Sequence, residues 1–175
     1  MSVARHDLGV AVLMKAEALG TPGKRTFRLV VESERGLATI WLEKQQMSAL
    51  ALSIKGAIEE IAKQKKKKGA VAPTVSSSKP VKEPTYEFKA AGLGLTYDDE
   101  TARLGILAST ADDAKVDRAT VVWWSPLEQA QAMAEQALDA ASGGRPICPI
   151  CHQPIDAAGH MCTATNGHGA VKGHL

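Results

Sequence analysis

Ala119-Thr120-Val121-Val122-Trp123-Trp124 runs directly into Ser125-Pro126-Leu127-Glu128, and the reading of this junction decides the fold. The first six residues are β-branched and aromatic, the composition of a strand. Ser125 and Glu128 have the spacing of a capping box, and Pro126 suits the first helical position. Leu127, Ala130, Ala134, Ala137, Leu138 and Ala141 then recur at helical spacing up to Gly143-Gly144. A strand therefore hands over to an amphipathic helix without an intervening loop.

The same passage occurs earlier in the chain. Ala38-Thr39-Ile40 aligns with Ala119-Thr120-Val121 at an offset of 81 residues, and Trp41-Leu42 then leads to a second helical stripe. That stripe is Met47, Leu50, Ile54, Ala57, Ile58 and Ile61, with Lys55, Glu59 and Glu60 off it. Upstream of each passage lie strand-like segments. Val10 to Met14 begins one, the turn Gly20-Thr21-Pro22-Gly23 follows, and Phe27, Leu29 and Val31 alternate with Arg28 and Glu32. In the second half, Tyr86 to Tyr97 reads as one long strand bent near Gly92-Leu93-Gly94. Leu104, Ile106 and Ala108 alternate in the next. A duplication of one βββα unit and convergence of two halves predict the same architecture. It is an α+β protein whose two βββα halves form a mainly antiparallel sheet, a six-stranded layer with two helices on one face.

Charge is unevenly placed. Residues 63–83 hold seven basic side chains and one acid, which leaves 14 basic and 18 acidic residues of the chain's 21 and 19 elsewhere. A mildly acidic body is a poor binder of phosphate backbones. The lysine run Lys65-Lys66-Lys67-Lys68, followed by small polar residues, reads as a disordered linker, because like charges repel and little area can be buried. The expected organisation is a first βββα half at 1–62, a basic linker at 63–84, a second βββα half at 85–143, and a zinc hook with a flexible tail at 144–175. No apolar run approaches the roughly 20 residues that span a bilayer. No secretory leader is recognised either, so a cytoplasmic location is expected.

All three cysteines lie near the end, as Cys148-Pro149-Ile150-Cys151, eight residues, then His160-Met161-Cys162. Cys148, Cys151, His160 and Cys162 have the spacing of a Cys₃His zinc site. Four protein ligands close the coordination sphere, so a structural Zn²⁺ is expected and not a catalytic one. A redox CxxC would need a helix N-terminus, against which Pro149 and Pro154 argue. His152 follows the first pair where zinc knuckles carry glycine, a position calling for positive φ that histidine tolerates. His168 and His174 are read as solvated tail residues.

Other motifs carry less. Gly20 to Thr26 fails the phosphate-loop pattern, and Gly92-Leu93-Gly94 is half a dinucleotide fingerprint with no helix after it. Asp98-Asp99-Glu100 and Asp112-Asp113 read as solvated turns. Trp123 and Trp124 should lie on opposite faces of their strand, one of them less buried, as an interface anchor or packed under the zinc tail. No nucleophile and base arrangement is recognised, so a non-catalytic role through an unidentified protein partner is expected. The alternatives are nucleic-acid association through the lysine tract and the hook, and an enzyme or metabolite-binding protein with a groove near Glu43-Lys44-Gln45-Gln46.

Several segments together resemble a bacterial family, domain of unknown function 3090, known from actinobacteria and chloroflexi. They are Ala16-Glu17-Ala18, Gly20 to Phe27, Trp41 to Gln46, Gly92 to Asp98, and Gly144 to Cys151 with Gly159 to Cys162 and Asn166-Gly167. The resemblance spans nearly the whole chain outside the lysine-rich tract, and it implies no established activity.

Overall fold

The structure, a computed structural model, describes residues 4–21, 24–68, 79–143, 148–153, 155, 159–165 and 170–171. Its main elements are β1 (Ala4–Leu19), β2 (Thr26–Ser33), β3 (Gly36–Leu42), α1 (Lys44–Lys68), β4 (Thr85–Lys89), β5 (Gly92–Asp98), β6 (Arg103–Ser109), α2 (Ala111–Ala114), β7 (Ala119–Pro126) and α3 (Leu127–Ser142). Strands β1 to β7 form one sheet in the order β4-β3-β2-β1-β7-β6-β5. Neighbours are antiparallel except β1 with β7 and β3 with β4, which run parallel. The α+β class and the two helices against one face hold.

The single six-stranded layer does not. The segment Tyr86 to Tyr97 is two strands, and the two lie at opposite ends of the strand order. Ala90 N–H donates to Trp41 O in β3 (2.9 Å), while the next residue, Ala91, donates to Ser109 O in β6 (2.8 Å). Two residues therefore link the sheet's first strand to its last, so the seven-stranded sheet must curl until its ends meet at this corner. The small residues Ala90, Ala91 and Gly92 permit so sharp a change of partner. Strand β1 turns the opposite corner: Ala4 to Val10 pair with β7, and Ala11 to Leu19 pair with β2. Val12 is the extra residue of a bulge there, skipped between the pairs Ala11–Ser33 and Leu13–Glu32.

The pairing scheme repeats. In each half the long strand gives its first segment to the third strand of the other half, in parallel, and its second segment to the second strand of its own, antiparallel. Two glutamines repeat with it. Gln46 in the first turn of α1 donates through Nε2 to Ala90 O (3.1 Å), and Gln129 at the start of α3 donates to Val12 O (3.2 Å). Each helix is thus tied at its beginning to the bend of the other half's long strand.

One core fills the helix side of the sheet. Leu29, Val31, Ile40, Ile106, Val121 and Trp123 from the strands are buried with Met47 and Ile54 of α1 and Ala130, Met133 and Ala134 of α3. Trp123 Nε1 lies 3.1 Å from Met14 Sδ, so its polar edge meets a sulfur deep in the core. Trp124, as the alternation requires, occupies the opposite face, with Ala4, Leu107, Ala119 and Val122. A Cβ on Gly105 would come within 2.8 Å of its ring, so this glycine gives the indole its seat.

Three local expectations are corrected. Helix α1 continues through Lys68, into the tract read as linker from 63; lysine and glutamine are good helix formers, and cations suit a helix C-terminus. Residues 69–78 lie outside the described ones. The capping box does not form. Pro126 still pairs with Arg103, α3 starts at Leu127, and the Ser125 hydroxyl lies by Pro126 O (2.9 Å) and Gln129 Oε1 (3.2 Å). At the other end Gly143 ends α3 in the left-handed region (φ 71°), as the Gly-Gly pair suggested. Asp113, read as a solvated turn residue, is buried, because the β6–β7 connection folds α2 back over Thr120. Pro22 and Gly23 of the first turn lie outside the described residues, and Lys24 N–H donates to Thr21 O across them (2.9 Å). No described helix is long and apolar enough to cross a membrane.

Candidate metal centre

The cysteine cluster begins in a short turn after α3. Cys148 N–H donates to Gln153 O and His152 N–H to Cys148 O, both at 2.9 Å, which closes residues 148–153 into a knuckle. His152 sits at φ 56°, the left-handed position that glycine usually occupies in such a turn. A two-stranded ribbon, β8 (His160–Met161) with β9 (Ala170–Val171), carries the second half of the site. Cys148, Cys162 and Ile155 are buried together, with Cys151 partly buried against them.

The four side chains named from the spacing converge. Their donor atoms all lie within 4.8 Å of one another. Cys148 Sγ and Cys162 Sγ are 3.9 Å apart, and Cys151 Sγ is 3.2 Å from His160 Nε2. Two thiolates at about 2.3 Å from a tetrahedral zinc stand about 3.8 Å apart, so the sulfur spacing fits such an ion. Cys148, Cys151, His160 and Cys162 could therefore hold a metal ion, with His160 presenting Nε2. The knuckle also differentiates the thiols. Backbone N–H groups of Cys151 and Ile150 lower the Cys148 thiol below its ordinary range against its burial. Cys151 accepts from the Gln153 backbone, which lowers it, but burial and the neighbouring sulfurs of Cys148 and Cys162 outweigh this and raise it. His168 and His174 lie outside the described residues.

The knuckle faces the two helices. His152 and Gln153 line a small cavity of about 80 Å³ with Lys44, Ser48 and Leu52 of α1 and Leu138, Ala141 and Ser142 of α3. The cysteine cluster thus rests at the seam between α1 and α3. Trp124, on the other face of the sheet, is not under it.

Elsewhere the sequence reading is only partly met. Glu43 is exposed and pairs with Lys89 (2.6 Å). Gln46 does line a groove, a cleft of about 430 Å³ between α1 and β5, with Ala49, Leu50, Ser53 and residues 91–95. Among the described residues, no acid, base or thiol lines that cleft. The Asp113 cluster was missed. Its carboxylate accepts from Arg5 (2.7 Å), Arg118 (2.9 Å) and the Thr120 hydroxyl (2.7 Å), and its backbone N–H donates to the Thr110 hydroxyl (3.3 Å). Thr120 first, then Arg118 and Arg5, hold the carboxyl below its usual range. Arg5 comes from 108 residues away in the chain, so its arrival beside Asp113 left no signal in the local sequence.

A curled α+β sheet with a Cys₃His cluster at its helix seam defines a protein with a candidate metal site. The family model described as "Protein of unknown function (DUF3090)" matches residues 6–162, and the chain belongs to that family. No curated protein and no solved structure matches it.

Proposed function

We propose that Cys148, Cys151, His160 and Cys162 hold one Zn²⁺ as a structural ion, and that the protein acts without catalysis, through contacts with another protein. The observation that carries this is the convergence of four zinc-type donors, three sulfurs and one imidazole, within 4.8 Å. All coordination positions come from the chain itself, which leaves none for a substrate. The ion's chemical contribution is to cross-link the knuckle to the β8–β9 ribbon, since a site absent from the unfolded chain stabilises the folded one. Cysteines at the site that are not joined by disulfides agree with a reducing, cytoplasmic setting. The repeated pairing scheme and the Gln46 and Gln129 ties support reading the halves as a duplicated βββα unit.

Metal analysis of the untagged, full-length protein tests the ion. About one zinc per chain is expected, with most of it lost in Cys148→Ser and in Cys162→Ser. Metal-free protein purified without chelator, with an ordered residue 148–162 segment by NMR, would overturn the reading.

A further inference from the structure

The knuckle presents the three thiols unequally. Cys148 and Cys162 are fully buried, with their sulfurs 3.9 Å apart. Cys151 is only partly buried, and the two residues before it, Pro149 and Ile150, are exposed, Ile150 by 51%. The tip of the turn therefore faces solvent with one sulfur at its edge, and the other two lie behind it. A small oxidant arriving from water meets Cys151 first, since thiol oxidation follows exposure as well as thiolate character.

The same turn decides which sulfur stays within reach. All four donor atoms lie within 4.8 Å of one another, so either buried sulfur could approach Cys151 from the starting geometry. Cys148 shares the knuckle with it, and two backbone bonds of 2.9 Å, Cys148 N–H to Gln153 O and His152 N–H to Cys148 O, close that turn without help from an ion. Cys162 comes from beyond β8 and meets the knuckle through packing with Cys148 and Ile155. Once Cys151 ceases to be a donor, the backbone bonds keep Cys148 beside it, while the tie to Cys162 is weakened.

We propose that the knuckle is a peroxide-sensitive switch, in which Cys151 and Cys148 join as a disulfide and open the hook. The Cys151 sulfur attacks one oxygen of hydrogen peroxide; an S–O bond forms, the O–O bond breaks, and the hydroxide released takes a proton to become water. The Cys148 sulfur then attacks the Cys151 sulfenic acid; an S–S bond forms, the S–O bond breaks, and a second water leaves. Two thiols lose two electrons and one peroxide gains them. His160 and Cys162 remain, too few to close a four-coordinate site. The knuckle keeps its place at the helix seam through His152 and Gln153, and the β8–β9 ribbon is released from it. Each chain reacts once, and a thiol reductant restores it. This rests on the reading that the four residues hold an ion, and it names how that site is regulated.

The test treats the untagged, zinc-loaded full chain with hydrogen peroxide. Zinc release is followed with a chromogenic chelator, and disulfides are mapped by mass spectrometry after alkylation of the remaining thiols. About one zinc is expected to leave per disulfide formed, with Cys148 joined to Cys151, Cys162 still open to alkylation, and zinc binding recovered after dithiothreitol. Cys162→Ser, which keeps the whole knuckle, is expected to form the same disulfide. Cys148→Ser is expected to form none and to stop at a Cys151 sulfenic acid that dimedone traps. Zinc content is read before oxidation, so the two readings fail separately. Untreated protein without zinc overturns the metal site and the switch with it. Zinc-loaded protein whose thiols survive peroxide, whose disulfide includes Cys162, or whose Cys151 passes to the sulfinic acid without pairing overturns the switch alone.

Discussion

Removing the two glutamine ties separately should cost different amounts. Gln129 Nε2 donates to Val12 O (3.2 Å) and its Oε1 lies 3.2 Å from the Ser125 hydroxyl. Val12 is the bulge residue of β1, skipped by the ladder to β2, so its carbonyl depends on this side chain. Gln129→Ala loses a hydrogen bond of about 0.5–1.5 kcal/mol net, and an unmet carbonyl adds to that, for about 1–3 kcal/mol in all. Gln46 makes the equivalent bond to Ala90 O (3.1 Å), and its Oε1 accepts from Glu43 N–H (2.8 Å). However, Gln46 lines the open cleft, where water can replace the lost amide. Gln46→Ala should then cost only about 0.5–1.5 kcal/mol. Urea titration of the zinc-loaded variants measures both values. Thermal midpoints should fall by about 2–4 °C per kcal/mol for a chain of this size. If Gln46→Ala proved as costly as Gln129→Ala, or costlier, the inferred hydration of the first corner would be wrong.

Four further outcomes follow from packing and charge. Asp113 has a carboxyl held below its ordinary range by Thr120, Arg118 and Arg5, so its stabilisation is complete above the unfolded value of about 4 and is lost as pH falls through the folded one. Asp113→Asn should lower the thermal midpoint at neutral pH and converge on the parent below about pH 4; a constant gap across that window would refute the assignment. Gly105→Ala places a methyl within 2.6 Å of Thr96 Cγ2 and 2.8 Å of the Trp124 ring, and should cost about 1–3 kcal/mol with a changed indole emission. Gly94→Ala meets nothing nearer than 3.8 Å and should change stability by no more than about 0.5 kcal/mol in a urea titration. Ile54→Ala, at a fully buried position of α1, should cost about 2–5 kcal/mol by the same measurement.

The strand and helix periods were legible because each element buries one face. Phe27, Leu29 and Val31, then Leu104, Ile106 and Ala108, are buried as their alternation required. So are Met47, Leu50, Ile54 and Ile61 at helical spacing. The Cys₃His cluster was legible for a different reason: donor spacing within a short turn is a local property, and Cys148 to Cys162 span few residues. What sequence could not show was set by distant partners. Tyr86 to Tyr97 has the periodicity of a single strand, and only the positions of Trp41 and Ser109 determine that its two parts pair at opposite ends of the sheet. Asp113 follows Asp112 in a stretch that looks solvated, and its burial depends on Arg5 arriving from the first strand. Helix α1 passes into the lysine tract because local propensity outlasts the apolar stripe that was taken to mark its end.

The two halves share a pairing scheme, so their departures from one another show where the chain has been altered for something besides packing. The short turn between β2 and β3 becomes, between β6 and β7, a connection that buries Asp113 under two arginines. This serves stability, since every oxygen of the carboxylate has a donor. Gly92 and Gly94 instead leave room on the face of β5 turned toward Ser109 and Leu107, away from α1, where an added Cβ would meet nothing nearer than 3.8 Å. The hook is the third departure: α1 ends in the lysine tract, whereas α3 is followed by the cysteines that fold back onto the seam between both helices. It lies by the first turns of α1, near the Gln46 tie, and by the last turn of α3, the end opposite Gln129.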